Sequence, residues 1–260
     1  MGAKLTVWVL GVLLFWSKGH QISAGSVASY WGEPKNGRPL AETCASGHYD
    51  ILMLAFFDIF GEGRTPHQTV CEAHPDSCQS LVSDVEKCQA NGQKVLLSIG
   101  GGGGTYGFNS SRDAQNVAKY LWDNYLGGSS NSSPMGAVKL DGIDLDIELG
   151  GGLQYYSDLI TSLRRIAHKR NYKTLYITAA PECAFPDFHL GPENLPYTKV
   201  FLGLPASPNA AANGYIDHNI LVRDVLPHIK SASNYGGVML WNVFEDQQNS
   251  NYSARIRAYV

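Results

Sequence analysis

The chain has 260 residues, of which 44% are apolar, and its formal net charge at pH 7 is -3. A chain of this length and composition can bury a sizeable core within one large domain. It contains no basic block, so its charge pattern argues against a nucleic-acid partner.

The first 24 residues have the pattern of a secretory signal peptide. Lys4 supplies the positive start, residues 5–16 form an apolar core, and residues 22–24 provide a cleavage site. The core is short for a membrane span, which makes a membrane anchor the weaker alternative. We therefore predict a signal peptide over residues 1–24 and one mature domain over residues 25–260. The mature chain is expected in the extracellular space or the vacuole, without membrane attachment.

Export favours disulfide bonds, and the chain has five cysteines: Cys44, Cys71, Cys78, Cys88 and Cys183. Cys71 and Cys78 enclose a short loop that contains a proline, and Cys44 and Cys88 could join the ends of an early β–α unit. Spacing alone does not fix the pairing, and the odd number leaves one cysteine over.

Strand-like and helix-like segments alternate along the chain. Residues 51–57, for example, form a continuous apolar run, which is typical of a strand buried on both faces. The strand at residues 94–99 leads into five glycines at residues 100–104. The predicted strands are residues 25–31, 51–57, 94–99, 140–148, 174–180, 200–204 and 237–241, and the predicted helices are residues 80–88, 113–126, 155–166, 220–229 and 251–260.

This alternation indicates parallel β–α units and an α/β fold. Four residues of functional interest fall at the C-terminal ends of predicted strands: Tyr30, Ser98, Glu148 and Trp241. A (β/α)8 barrel carries its active site at that end of its strands. We therefore predict a (β/α)8 TIM barrel in a single domain.

Only seven strands can be recognised, and the shortfall lies in one place. Between Ala180 and Val200 there are 19 residues, four of them prolines. One β–α–β unit takes roughly 30 residues or more, so the two crossovers and the strand of a complete barrel cannot fit here. The predicted barrel is therefore incomplete and would expose two strand edges.

The stretch at residues 140–148 reads L-D-G-I-D-L-D-I-E. In a strand, alternate residues share a face, so Asp144, Asp146 and Glu148 point the same way. Three adjacent carboxylates on an apolar strand are costly unless one is protonated, and a protonated carboxyl group can act as a general acid. A solvated strand edge and a site for a hard cation are the alternatives.

Residues 141–148 match the complete D-G-x-D-x-D-x-E signature of glycoside hydrolase family 18, the chitinases. The chain as a whole resembles plant class III chitinases of the hevamine type. The resemblance implies a substrate-assisted hydrolysis of β-1,4-linked N-acetylglucosamine, with Glu148 as acid, Asp146 orienting the acetamido group and Asp144 supporting Asp146. The implied partner is chitin or a chito-oligosaccharide, and we expect a monomer.

The resemblance also suggests residues that contact the sugar. Ser98-Ile99-Gly100-Gly101 is similar to the family's S-x-G-G, and its glycines would let a sugar approach the backbone. Related xylanase inhibitors fill this groove with a bulky residue. A flexible loop is the alternative, whereas a phosphate loop is disfavoured because no Gly-Lys-Ser/Thr follows.

Three aromatic residues complete the implied sugar site. Tyr30 and Phe56 resemble inward-facing residues of the family groove, and Trp241 resembles the tryptophan that floors the sugar site. Ordinary core packing is the alternative for all three. The eight histidines show no metal-binding spacing, so we predict no metal and no cofactor, and Ser98 has no evident histidine partner for nucleophilic catalysis.

The resemblance implies disulfides between Cys44 and Cys88 and between Cys71 and Cys78. It also implies that Cys183 has lost its partner, because the family's sixth strand and following loop, which carry a substrate-binding tyrosine and that cysteine, have no counterpart here. The missing strand and the unpaired cysteine indicate one deletion, and an exon skip or a mispredicted gene explains it better than an evolved seven-stranded fold. The three retained carboxylates favour an enzyme, and the missing tyrosine favours the alternative, a chitin-binding lectin or an inhibitor-like pseudoenzyme.

Overall fold

The computed structural model describes residues 10–15, 25–35, 37–73, 78–128, 130–131, 133–172, 174–181 and 198–260. Their main feature is one ten-stranded sheet, in which eight strands pair in a closed ring. These are β1 (Leu10–Phe15), β2 (Ser26–Trp31), β3 (Ile51–Phe60), β4 (Lys94–Gly100), β5 (Gly142–Asp146), β6 (Tyr176–Ala179), β7 (Thr198–Pro205) and β8 (Tyr235–Trp241).

The seven predicted strands are present and parallel. Pairing runs without interruption from β2 through β3, β4 and β5 to β6. On the other side, β7 pairs with β8, and β8 pairs with β2. The predicted parallel barrel is therefore confirmed. Two short strands, His67–Gln68 and Thr105–Tyr106, extend the sheet beside β3.

The position between β6 and β7 is occupied by β1, which runs antiparallel to both neighbours. Leu13 lies opposite Ala179 of β6, and Leu10 and Phe15 lie opposite Gly203 and Thr198 of β7. The parallel barrel is therefore incomplete, as predicted, and in the full chain the antiparallel β1 pairs with the two edges that its missing strand leaves. The signal peptide over residues 1–24 and the domain limits stay predictions.

Helices surround the sheet, mostly where the apolar spacing predicts them. Ser110 caps one of them, since its hydroxyl accepts a hydrogen bond from the backbone N–H of Asp113 at 3.2 Å. The short helices before β3 and after β8 were not predicted. The helices are Leu40–Ala45, Cys78–Ala90, Ser111–Leu121 with the π-helical turn Trp122–Leu126, Tyr156–Lys169, His218–Ile220 with the π-helical turn Leu221–Val225, Leu226–Ile229, Val243–Gln248 and Tyr252–Ile256.

The core has two layers, which explains the continuous apolar runs of the strands. In β3, Leu52 and Leu54 pack outward in the layer between the sheet and the helices. Ile51 and Met53 point into the barrel, where a smaller apolar cluster includes Phe201. No helix among the described residues is long and apolar enough to cross a membrane.

Both implied disulfides are present. Cys44–Cys88, with the two Cα atoms 5.3 Å apart, joins Leu40–Ala45 to Cys78–Ala90. Cys71–Cys78 closes a short loop, with its Cα atoms 4.5 Å apart. Cys183 lies outside the described residues.

Candidate active site

The three carboxylates of the signature lie at the C-terminal end of β5. Asp144 is fully buried and Asp146 is 8% exposed. The predicted strand included Glu148. In the structure the strand ends at Asp146, so Glu148 lies two residues beyond it. Asp146 and Glu148 line a cleft of about 700 Å³ at this end of the barrel.

Asp144 is held by hydroxyl groups from three other strands. Its Oδ2 accepts hydrogen bonds from Tyr30 Oη of β2 at 2.9 Å and Ser98 Oγ of β4 at 2.7 Å. Its Oδ1 accepts one from Thr178 Oγ1 of β6. Ser98 and Thr178 lie directly beside Asp144 in the pairing of β4, β5 and β6. The register of the parallel strands therefore builds this environment.

Burial dominates the titration of this group. It raises the pKa of Asp144, although the hydrogen bonds from Thr178, Ser98 and Tyr30 act in the opposite direction. The pKa of Tyr30 lies well above its ordinary value, because of burial and then the nearby charges of Asp144 and Asp146. Tyr30 therefore remains a proton donor to Asp144.

Tyr106 fixes the backbone that carries Glu148. Its Oη accepts hydrogen bonds from the backbone N–H groups of Glu148 at 3.1 Å and Leu149 at 2.9 Å. It donates one to the carbonyl oxygen of Gly101 at 3.0 Å. Burial raises the pKa of Tyr106, which keeps the phenol protonated in this role. A single hydroxyl thus joins the glycine-rich loop to the end of β5.

The glycines of this loop permit close contacts. A Cβ at Gly100, where φ is +113°, would lie 2.1 Å from the carbonyl oxygen of Asp146. Gly100 lines the cleft. Gly101 is buried and lies outside the cleft lining, and a Cβ there would approach the ring of Phe56 to 2.9 Å. A Cβ at Gly102 would lie 3.2 Å from Glu148 Oε2, so this glycine keeps space beside the carboxyl group.

The three predicted aromatic residues form one cluster at the base of the cleft. The ring centroids of Tyr30 and Trp241 are 5.1 Å apart, and those of Phe56 and Trp241 are 6.0 Å apart at an interplanar angle of 19°. Tyr30 and Phe56 are buried, whereas Trp241 is partly exposed. Trp241 therefore offers the largest open aromatic surface to a ligand. The whole lining among the described residues is Tyr30, Glu33, Phe56, Asp58, Thr69, Gly100, Gly102, Gly103, Gly104, Asp146, Glu148, Ala180, Ala210, Ala211, Met239 and Trp241.

Comparison with known proteins agrees with this geometry. Residues 26–202 match the family described as glycosyl hydrolases family 18. The chain belongs to this family. It is 39% identical over 293 aligned residues to an acidic endochitinase from Nicotiana tabacum, with 97% of this chain and 98% of the relative covered.

Two solved structures show how the family 18 fold is shared. A chitinase from Ipomoea carnea is 36% identical, with a TM-score of 0.83 over 91% of this chain and 100% of that chain. A xylanase and alpha-amylase inhibitor protein, XAIP-II from Scadoxus multiflorus, is 32% identical, with a TM-score of 0.81 over 90% of this chain and 98% of that chain. A chitinase and an inhibitor protein thus both share the fold of this chain, so the fold alone does not establish catalytic activity.

The alignment to the tobacco endochitinase also bears on the deletion. It is 293 residues long, which exceeds the 260 residues of this chain, so the relative contains residues without a counterpart here. This agrees with a deletion. Its position between β6 and β7 is the one that the sequence predicts.

Several residues of this family 18 site were missed from the sequence. Thr178 lies in a predicted strand, but only the strand register shows that it faces Asp144. Tyr106 follows the glycine run without any motif of its own. Glu33, Asp58 and Thr69 line the cleft from the β2 and β3 side. These three residues lie at or just beyond the ends of strands, and this position was the signal in the sequence that could have identified them.

The site is suited to acid–base chemistry on a sugar. Glu148 is partly exposed and lines the cleft together with Asp146, whereas Asp144, two residues before Asp146 in β5, is buried. Burial raises the pKa of Asp144, the most deeply buried of the three carboxyl groups. Among the described residues, no group of three His, Cys, Asp or Glu side chains has the arrangement of a metal site.

Proposed function

We propose that the chain hydrolyses the β-1,4 linkages of chitin with retention, by a substrate-assisted mechanism. One observation carries this proposal. The exposure of the three carboxylates increases from the fully buried Asp144 to the cleft-lining Glu148, and they lie beside an aromatic base formed around Trp241. The endochitinase relatives support chitin as the substrate. An endo-acting enzyme outside the cell fits the predicted signal peptide, whose cleavage would leave a mature chain without β1.

Glu148 acts first as the general acid. It protonates the glycosidic oxygen as the bond from this oxygen to the anomeric carbon breaks. The acetamido carbonyl oxygen of the same sugar attacks the anomeric carbon and forms an oxazolinium ion. Glu148, now ionised, takes a proton from water, and the water oxygen attacks the anomeric carbon. This second displacement restores the acetamido group and gives net retention.

Asp146 supports the acetamido group during both steps. Its carboxylate orients the amide N–H and stabilises the positive charge of the oxazolinium ion. Asp144 stands behind it on the same face of β5. Because burial raises the pKa of Asp144, this group holds a proton more readily than an exposed aspartate. A proton held at Asp144 lets Asp146 carry the negative charge that the intermediate needs.

The test is hydrolysis of a soluble fluorogenic chito-oligosaccharide by the wild-type chain and by Glu148→Gln. Removing the general acid should lower kcat about 1,000-fold or more. Sugar binding, followed through tryptophan fluorescence, should change little because the aromatic base is intact. Unchanged turnover in Glu148→Gln would refute the assignment.

The second candidate function is sugar binding without hydrolysis. The observation that favours it is the replacement of one parallel strand by β1, between β6 and β7. In the family, that parallel strand would bear the substrate-binding tyrosine. The resemblance to an inhibitor protein is compatible with it. Folded, monomeric wild-type protein that binds the oligosaccharide but releases no fluorophore would support this candidate over the hydrolase.

A further inference from the structure

The wall of the cleft beside β2 and β3 is acidic. Glu33 follows β2, and Asp58 belongs to the end of β3. With Asp146 and Glu148, they are the charged side chains that line the cleft within the described part of the chain, and all four are acids. The proposed mechanism uses the two acids of the β5 side and gives no role to the other two.

The acids of this wall differ in their partners. Asp58 Oδ1 accepts a hydrogen bond from the backbone N–H of Thr69 at 3.2 Å and contacts His67 Nδ1 at 2.9 Å. Lys35 pairs with Glu72, which also contacts His67 Nε2 at 3.2 Å. Lys35 and His67 are therefore engaged by Asp58 and Glu72.

Glu33 has no such partner among the residues that the structure describes. It is half-buried at the edge of the cleft, and none of those residues donates a hydrogen bond to its carboxyl group. Burial raises the pKa of Glu33, with further contributions in this direction from Asp58 and Glu72, whereas Lys35 lowers it. A carboxylate in this setting gains from a cationic or hydrogen-bonding group supplied by the ligand.

The chemistry of chitin offers one cationic group. Loss of an acetyl group converts N-acetylglucosamine into glucosamine, whose C2 amine is protonated in mildly acidic solution. The sugar at the reacting bond must keep its acetyl group, because that group is the nucleophile. The end of β3 lies two strands from β5, roughly 10 Å away, so a sugar against this wall is not the reacting one.

We infer that Glu33 determines substrate specificity by favouring partially deacetylated chitin chains that place a glucosamine ammonium group against this wall. The inference rests on the proposed hydrolase function and names a substrate class for the same cleft. It requires contact between the Glu33 carboxylate and the ligand, and it assigns no part of the bond-breaking step to Glu33.

The experiment compares two oligosaccharides of equal length, one fully acetylated and one with a single glucosamine unit away from the cleaved bond. Wild-type protein, Glu33→Gln and Glu86→Gln are assayed in parallel. Glu86 is an exposed residue of Cys78–Ala90 outside the cleft lining, so its variant matches the change in net charge. Glu33→Gln should lower the kcat/KM ratio of deacetylated to acetylated substrate about fivefold, mainly through KM, as expected for one accessible ion pair.

The control Glu86→Gln should keep the wild-type ratio, and added salt should reduce the wild-type preference. An unchanged ratio in Glu33→Gln, with normal turnover, overturns this inference and leaves the hydrolase proposal intact. If the wild-type chain cleaves neither substrate, the hydrolase proposal fails. The role of Glu33 is then tested by the ratio of the dissociation constants for the deacetylated and the acetylated oligosaccharide. Equal ratios for the wild-type chain and Glu33→Gln would then overturn it.

Discussion

The barrel has two regions that are built in different ways. In the arc from β2 to β6, every neighbouring pair is parallel, and hydroxyls from β2, β4 and β6 converge on Asp144 of β5. In the seam between β6 and β7, the connecting strand is β1, which comes from the start of the chain and runs antiparallel. The arc carries the proposed proton chemistry. The seam joins the arc to β7 and β8, and the residues Ala210, Ala211 and Trp241, at or beyond the ends of these two strands, line the cleft.

The difference shows that the two sides of the cleft depend on different interactions. The three hydroxyl groups that donate to Asp144 all belong to strands of the arc. The aromatic base joins Tyr30 and Phe56 of the arc to Trp241 of β8. The strand β8, which carries Trp241, is connected to the arc in two ways. It pairs directly with β2, and it is linked to β6 through β7 and β1. Each region can therefore be disrupted separately.

Removal of residues 1–24 should have the largest effect, because it opens the seam. The edges of β6 and β7 would lose the hydrogen bonds of β1, and we expect the free energy of unfolding to fall by about 3 kcal/mol or more. Exposed edges should also promote self-association. Urea unfolding and sedimentation of the full chain and the shortened chain measure both effects. Equal stability and a monomeric shortened chain would mean that β6 and β7 pair directly.

Gly100→Ala should disrupt the arc nearly as strongly. The new Cβ would lie 2.1 Å from the carbonyl oxygen of Asp146, and φ at this position is +113°. We expect a loss of about 3 kcal/mol in the free energy of unfolding, together with lost turnover. Gly103→Ala is the matched control, since a Cβ there has no atom within 4 Å. Similar unfolding curves for the two variants would contradict this account of Gly100.

Asp144→Asn should affect chemistry more than stability. The amide is nearly the same shape, and the three hydroxyls can rotate to satisfy it, but it cannot exchange a proton with Asp146. We expect kcat to fall about 100-fold, with a smaller change in KM. Steady-state kinetics on the fluorogenic oligosaccharide measure this. A change confined to KM would show that Asp144 serves binding only.

The pH dependence of stability should reveal the titration of Asp144. Its folded pKa is raised by burial, so its contribution to stability is fully present below the ordinary value of about 3.9 and is lost as the pH rises through the folded pKa. The stability of the wild-type chain relative to Asp144→Asn should therefore fall with rising pH in this window, by up to about 1.4 kcal/mol per pH unit. Urea unfolding across this range tests it, and a constant difference would contradict it.

The sequence predicts the arc better than the seam, for physical reasons. Alternating acidic and apolar residues and the D-G-x-D-x-D-x-E signature are enough to identify Asp144, Asp146 and Glu148. The partners Ser98 and Thr178 depend on the register between parallel strands, which local patterns do not contain. Tyr106 acts through a hydrogen bond to backbone groups that are distant in sequence.

The seam was beyond prediction because its apolar segment fits two structures equally well. A run such as that at residues 5–16 has the composition of a signal peptide and also of a buried strand. Its partners in β6 and β7 lie more than a hundred residues away in the chain. The sequence identified the missing strand correctly but could not show what occupies its place.

The two disulfides have a consequence for the order of events during synthesis. All four of their cysteines precede residue 89, so both cross-links can form before Asp144 to Glu148 have left the ribosome. Oxidation of the nascent chain therefore needs neither the catalytic strand nor the shortened segment between β6 and β7. In a secretory pathway, the four early cysteines could already be oxidised when the rest of the chain is synthesised. Cys183 would then be the one thiol that is added afterwards.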